Sequence, residues 1–187
     1  LGKEGQGIYD KMNAIGAHEV VIETPQAGLQ LEQQPVEGVA RVLETYKIRM
    51  TDLLRDARLR YILIFKNFGT QAGATISHPH SQLIATPVTP KRLKEKLTGA
   101  MQYFAYKDRS IFEDMLKQEL REGQRLVYEN AGFVAFCPFA ARFPFEITIL
   151  PRRQTAYYSE IHPDEILLLA DVLKVSLQKL AKALDQP

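Results

Sequence analysis

Residues 61–86 read YILIFKNFGTQAGATISHPHSQLIAT, and this stretch carries most of the information about the fold. It opens with Tyr61–Phe65, a continuous apolar run of strand length, and a second such run at 82–86 ends at Pro87. The intervening stretch 67–77 is polar and contains two glycines, which is typical of a loop. The pattern therefore predicts a strand, a loop and a second strand close to a His-Pro-His-Ser-Gln sequence.

Two further elements are predicted upstream of this stretch. Residues 18–23 (HEVVIE) are rich in β-branched side chains and are followed by Thr24-Pro25, which suits a strand that ends where proline removes a donor. Apolar residues at alternating three- and four-residue spacings then predict an amphipathic helix. They are Val36, Val39, Leu43, Tyr46, Met50 and Leu53.

In the remainder of the chain, the sequence pattern predicts a helical region, three strands and a final helix. Residues 90–121 are charged and favour helix, with interruptions predicted at Gly99 and at 107–110. Strands are predicted at 125–129, 134–136 and 146–150. The last helix is predicted to start at His162-Pro163-Asp164. Its apolar stripe comprises Ile166, Leu169, Leu173, Leu177, Leu180 and Leu184.

The sequence contains one weak internal repeat. VVIETP, which ends at Pro25, and ITILP, which ends at Pro151, are each followed by an amphipathic helix at a similar distance. This suggests two copies of one unit. We predict an α+β fold with a mainly antiparallel sheet and flanking helices, in which residues 1–122 form the first unit and 123–187 begin a second, truncated one.

Composition narrows the possible partners and location. The 24 basic and 22 acidic residues nearly cancel and are interspersed, which disfavours binding to nucleic acid or to an anionic membrane. No apolar run approaches the roughly 20 residues that span a bilayer, and the first residues lack a signal-peptide centre. Because a single cysteine, Cys137, cannot form an internal disulfide, we expect a reducing, cytoplasmic location.

The two histidines of the His-Pro-His-Ser-Gln sequence form a candidate reactive pair. On one strand, His78 and His80 would point to the same face, because side chains alternate along a strand. We therefore predict that they face a cleft lined by Asn67 and Gly73. A His-x-His pair alone is more often a surface or metal-binding detail, but here it lies beside a glycine-containing loop.

That loop has the composition of a phosphate-binding segment. Gly69 and Gly73 let the backbone approach a ligand closely. Asn67, Thr75 and the loop amides offer hydrogen-bond donors to phosphate oxygens. A phosphate cradle beside a histidine pair is the functional interpretation, whereas a plain turn is the structural alternative.

The order of these features resembles the histidine-triad superfamily, and specifically its galactose-1-phosphate uridylyltransferase family. The resemblance covers nearly the whole chain and implies a histidine-triad-like fold. It is carried by Asn67, Gly73, Ala74, Thr75, His78, Pro79, His80 and Gln82.

The resemblance implies a reaction and the residues that perform it. His80 would attack the α-phosphorus of UDP-glucose, form a uridylyl-histidine and release glucose-1-phosphate, after which galactose-1-phosphate would accept the UMP. Gln82 would hold a phosphoryl oxygen, and Asn67 with the backbone of 73–75 would position the phosphates. The transferase branch carries glutamine where the superfamily's hydrolases carry a third histidine. The implied partners are a nucleotide sugar, a sugar phosphate and a second copy of the chain in a homodimer.

A zinc ion is also implied by the resemblance. Relatives often hold zinc with two upstream cysteines, a histidine after a Ser/Thr-Pro step and the first histidine of the pair, which is His78 here. After Thr24-Pro25-Gln26, however, the position of the expected histidine is occupied by Ala27. Alanine contributes no ligand, so a complete zinc site is in question.

Two other functions stay open on the sequence alone. ADP-glucose phosphorylase shares the motif but transfers AMP to inorganic phosphate, and a nucleotide-binding protein without turnover is the third possibility. The other histidines, His18 and His162, have ordinary structural interpretations, and Cys137 is interpreted as a packed thiol.

Overall fold

The computed structural model describes residues 2–184, in which short strands alternate with four α-helices. Leu1 and the predicted end of the second unit at Pro187 lie outside the described residues. The strands are β1 Glu4–Gln6, β2 Tyr9–Lys11, β3 Ala17–Ile22, β4 Tyr61–Phe65, β5 His80–Thr86, β6 Leu126–Glu129, β7 Phe133–Phe136 and β8 Thr148–Pro151. The helices are α1 Val36–Leu53, α2 Lys91–Lys107, α3 Ile111–Glu122 and α4 Pro163–Ala183.

The first main sheet has the order β3-β5-β4 with both pairs antiparallel. The β5 strand is central, and its alternate residues Ser81, Leu83 and Ala85 are buried toward α1. His80 and Gln82 occupy the intervening positions and therefore lie on the opposite face. The sheet thus separates an inner packing surface from an outer surface that carries the two predicted catalytic side chains.

The second main sheet has the order β6-β7-β8, again antiparallel throughout. Every residue of β7 is buried, because both faces of this central strand are covered. Phe133 and Ala135 join the core that contains α1 and α4, whereas Val134 and Phe136 pack with Leu116 of α3. Two layers of helices therefore enclose this sheet, and all sheet pairing in the described chain is antiparallel, as predicted.

The two predicted units share one hydrophobic core. Helix α1 packs against α4, and a single cluster joins Val39 of α1 and Leu83 of β5 to Ala170 of α4. Hydrogen bonds also cross the same boundary. Among them, Tyr158 donates its hydroxyl to the Leu43 carbonyl at 2.8 Å, and Lys47 donates to the Ile161 carbonyl at 2.8 Å. Burial of this shared surface fixes the two units against each other.

Several predicted boundaries are confirmed and several need correction. Helix α1 and the start of α4 match the prediction, and α2 and α3 are separated at 108–110, where Asp108 is left-handed with φ 54°. The predicted interruption at Gly99 is wrong, because α2 runs through it. One glycine costs about 1 kcal/mol, which the helix-favouring neighbours offset. Strand β5 begins two residues before the predicted 82–86, and the β1–β2 hairpin was not predicted.

A close backbone approach at Gly16 leads to a stability prediction. A Cβ atom at this position, directly before β3, would lie 2.6 Å from the Ala85 carbonyl oxygen of β5. Because sheet pairing holds that oxygen, we expect Gly16→Ala to lower the free energy of unfolding by about 1–3 kcal/mol, measured by urea denaturation. The matched control is Gly99→Ala, where nothing lies within 4 Å, and it should stabilise α2 by up to about 1 kcal/mol. Equal midpoints for Gly16→Ala and the wild type would contradict the close approach.

Within residues 2–184, no helix combines the length and apolar character needed to cross a membrane.

Candidate active site

A cleft of about 330 Å³ opens where β5 begins, between the end of β4 and the loop that joins these strands. Because β4 and β5 are antiparallel neighbours, the end of β4, next to Asn67, lies beside the start of β5 at His80. The lining includes Gln30, Lys66, Asn67, Phe68, Gly69, Thr70, Ala74, Thr75, Ile76, Ser77, His78, Pro79 and His80.

The structure brings most of the predicted residues to this cleft, but not all of them. Asn67, Ala74 and Thr75 line it together with both histidines. Gly73 is not among the lining residues, so the prediction that it lines the cleft is wrong. It closes a turn with φ 85°, and a Cβ there would lie 3.8 Å from Asn67 Nδ2. That distance is ordinary van der Waals contact, so it is the positive φ that favours glycine at this position.

The glycine-containing loop uses some of its own donors. Gly73 donates its N–H to the Thr70 carbonyl at 3.0 Å, and Ala74 donates to the Gly69 carbonyl at 3.1 Å. Within residues 2–184, the Thr75 N–H and the Asn67 side chain have no hydrogen-bond partner. These two predicted phosphate donors are therefore free to bind a ligand.

The geometry around His80 selects one ring nitrogen for chemistry. Its Nδ1 lies 2.8 Å from the carbonyl oxygen of His78. Because a carbonyl only accepts, Nδ1 must carry the hydrogen and donate it. The lone pair of the neutral ring is then on Nε2, so His80 has the tautomer of a nitrogen nucleophile.

His78 lies in a bend before β5, which corrects the prediction that both histidines lie on one strand. Pro79 has no N–H with which to continue the sheet. The hydrogen bonds between β3 and β5 therefore end with the Glu23 N–H, which donates to the Pro79 carbonyl at 3.1 Å. The His78 ring instead lies with Nε2 2.6 Å from the Thr24 carbonyl, to which it donates. The His78 carbonyl thus accepts the hydrogen bond that orients the His80 ring, while the His78 ring itself is hydrogen-bonded to Thr24, just after β3.

Gln82 does not line the cleft, although it shares a sheet face with His80. Its Oε1 accepts a hydrogen bond from His18 Nε2 at 2.9 Å. The amide nitrogen of Gln82 has no hydrogen-bond partner within the described chain, so both of its N–H donors are free. No sequence pattern connects His18 with Gln82, because the two positions meet only through the pairing of β3 with β5.

A buried polar network lies behind the nucleophile strand, and sequence analysis missed it. Ser81 donates its hydroxyl to Glu23, and the Tyr46 hydroxyl lies 2.5 Å from Ser81 Oγ. Since the single Ser81 hydrogen is used on the carboxylate, Tyr46 is the donor in this pair. Burial raises the pKa of Tyr46 to about 12, so the phenol keeps its proton. The second oxygen of Glu23 accepts from Lys66.

The described residues do not complete a zinc site. His78 has only Nδ1 left for a metal, because its Nε2–H is donated to Thr24. Across residues 2–184, no three His, Cys, Asp or Glu side chains are grouped to hold a metal ion. Zinc binding through His78 stays a prediction.

A sequence profile for the N-terminal domain of galactose-1-phosphate uridyl transferase matches residues 3–90, and the C-terminal domain profile matches 96–186. The chain belongs to the galactose-1-phosphate uridylyltransferase family. The two profile matches meet between residues 90 and 96, and the unit boundary after residue 122 stays a prediction.

Relatives with two different named activities resemble the chain to similar extents. It is 35% identical over 173 residues to an ADP-glucose phosphorylase of Arabidopsis thaliana, covering 92% of this chain and 48% of that protein. It is 34% identical over 181 residues to the galactose-1-phosphate uridylyltransferase of Thermotoga maritima, covering 97% of this chain and 56% of that protein. The chain therefore spans about half the length of these relatives.

Solved structures agree with this fold. A uridylyltransferase structure superimposes with a TM-score of 0.93 at 28% identity, covering 99% of this chain and 58% of that one. A crystal structure of ADP-glucose phosphorylase from Arabidopsis thaliana with bound ADP-glucose gives a TM-score of 0.84 at 34% identity, covering 92% and 53%.

Proposed function

We propose that this family member acts as a nucleotidyltransferase that carries a nucleoside monophosphate on Nε2 of His80. The observation that carries the proposal is the hydrogen bond from His80 Nδ1 to the His78 carbonyl, which leaves Nε2 as the nucleophilic nitrogen beside the cleft. Family membership supports the same class of reaction.

The first step is a displacement at phosphorus. The Nε2 lone pair attacks the α-phosphorus of a nucleotide sugar, and the bond from that phosphorus to the bridging oxygen breaks. The sugar 1-phosphate leaves with the electron pair. The ring then carries a positive charge and keeps its Nδ1 hydrogen. The His78 carbonyl stabilises this charge by accepting the hydrogen bond from Nδ1.

The second step returns the ring to its starting state. An anionic phosphate oxygen of the acceptor attacks the same phosphorus, and the phosphorus–nitrogen bond breaks with its electron pair returning to Nε2. The Thr75 N–H, the Asn67 amide and the free Gln82 amide are the groups we assign to the phosphoryl oxygens.

Two donor and acceptor pairs fit this chemistry. In one, UMP moves from UDP-glucose to galactose-1-phosphate, and in the other AMP moves from ADP-glucose to inorganic phosphate. The second is supported as well as the first, because the Arabidopsis phosphorylase and the Thermotoga uridylyltransferase are equally similar to the chain. A nucleotide-binding protein without turnover is less well supported, since the His80 tautomer is already set for attack. The homodimer and the cytoplasmic location stay predictions.

Covalent labelling tests the proposal and separates the two donors. The full-length protein is incubated with UDP-glucose or ADP-glucose without acceptor, denatured and analysed by mass spectrometry. We expect a mass increase of one UMP or one AMP residue on the peptide that contains His80, from one donor in preference to the other. Tight nucleotide binding with no covalent label from either donor would favour the binding protein and contradict the proposal.

A further inference from the structure

Lys66 is a candidate phosphate-binding residue that sequence analysis did not identify. Among the described residues that line the cleft, it alone is a lysine or arginine. The diphosphate of a nucleotide sugar is anionic, and a fixed cation close to it strengthens binding in a site that partly excludes water. Within residues 2–184, the lining therefore contains a single permanent positive charge for an anionic substrate.

The ammonium group of Lys66 is held in place from inside the protein. It donates to Glu23, whose side chain is 0% exposed, whereas 22% of the Lys66 side chain is exposed. The other carboxylate oxygen accepts from Ser81, which is itself bound by Tyr46. Glu23 is thus anchored to the nucleophile strand and to α1, and Lys66 is the end of the network that reaches the cleft.

The ammonium group still has free donors. A lysine side chain carries three N–H donors. Within residues 2–184, the Lys66 ammonium makes one hydrogen bond, the one to Glu23. Since lysine has high rotamer entropy, an ammonium already held by a carboxylate loses less freedom when a phosphate binds it. An ion pair with a purely structural role would not need to lie in the cleft lining.

We propose that Lys66 binds the diphosphate group of the nucleotide-sugar donor and that Glu23 is a positioning residue that holds the ammonium at the cleft. This inference rests on the proposed function, because it assigns a contact to the donor of that reaction. The lysine could bridge the carboxylate and a phosphate oxygen at the same time, since its three donors point in different directions.

Equilibrium binding in a nonreacting background tests the contact. In the full-length protein with His80→Asn, we expect Lys66→Met to raise the Kd for the preferred donor by about 10-fold or more, and Lys66→Arg to restore most of the affinity. Inorganic pyrophosphate, which has neither base nor sugar, is measured as a competitor. Its affinity should fall by a similar factor, because the lost contact is to the diphosphate and not to the base or the sugar.

A double variant separates binding from folding. Lys66→Met alone leaves the Glu23 carboxylate buried without its cation, so it should lower the melting temperature. Adding Glu23→Gln removes that unpaired charge, and we expect the melting temperature to recover while donor and pyrophosphate affinity stay low. If the double variant binds both as tightly as the His80→Asn parent, the phosphate contact is refuted.

The two proposals fail in different ways. In one outcome, the wild type forms the covalent label, and the labelling rate depends on donor concentration in the same way in the wild type and in Glu23→Gln/Lys66→Met. That result would overturn only the role of Lys66. A wild type that forms no label from either donor would overturn the proposed function and this inference with it.

Discussion

Replacing His80 with asparagine should abolish nucleotidyl transfer while leaving donor binding measurable. Asparagine can still donate an N–H toward the His78 carbonyl, but it offers no lone pair in place of Nε2. Loss of a covalent nucleophile typically costs several orders of magnitude in rate, and we expect a decrease of at least about 10⁴-fold in turnover. Turnover is measured with radiolabelled donor, and donor affinity is measured by calorimetry on the same preparation.

The chain offers a matched control for this substitution. His162 is the N-cap residue of α4, where its backbone N–H donates to the Glu165 carboxylate at 2.8 Å. Asparagine is a favourable N-cap residue, so His162→Asn should leave both transfer and stability near wild-type values. If His80→Asn retained more than about one hundredth of the wild-type turnover, another residue would have to carry the nucleotide.

Replacing Gln82 with histidine should shorten the lifetime of the nucleotidyl-histidine and reduce transfer to the acceptor. An amide cannot act as an acid or base near neutral pH, whereas an imidazole can take a proton from an attacking water. We expect the rate of label loss to water to rise on the order of 10²-fold, in line with the usual contribution of general base catalysis. The measurement is the decay of the isolated labelled protein with and without sugar phosphate.

His18 provides the control for the Gln82 substitution. It donates to Gln82 Oε1 in the wild type, so His18→Ala should loosen the glutamine without introducing a base at position 82. We expect slower transfer in this variant but no acceleration of loss to water. Rapid decay of the wild-type label in the absence of acceptor would show that the protein is a hydrolase.

The elements that sequence analysis predicted are those whose formation depends on side chains close together in the sequence. Alternating spacings gave α1 and α4, and the apolar runs on either side of the glycine-containing loop gave β4 and β5. The motif residues Asn67, Thr75 and His80 were predicted as site residues, and the structure places all three in one cleft. Each of these inferences depends on residues that are near one another in the sequence.

What sequence analysis missed depends on contacts between distant residues. The hydrogen bond from His18 to Gln82 spans 64 positions, and those from Ser81 and Lys66 to Glu23 span 58 and 43. Sequence periodicity does not reveal such pairs, since they arise only when β3 and β4 align on either side of β5. His78 was misplaced for the same reason, because its bend depends on an acceptor at Thr24 as well as on Pro79.

The core shared by α1 and α4 makes the two family domains one cooperative folding unit. Val39 and Leu83 pack in the same cluster as Ala170 and Phe133, so neither half can unfold without exposing the apolar surface of the other. A ligand bound only by the folded cleft therefore shifts the unfolding equilibrium of the whole molecule by mass action. Amide hydrogens in β6, β7 and β8, which lie outside the cleft lining, would exchange more slowly once substrate is bound.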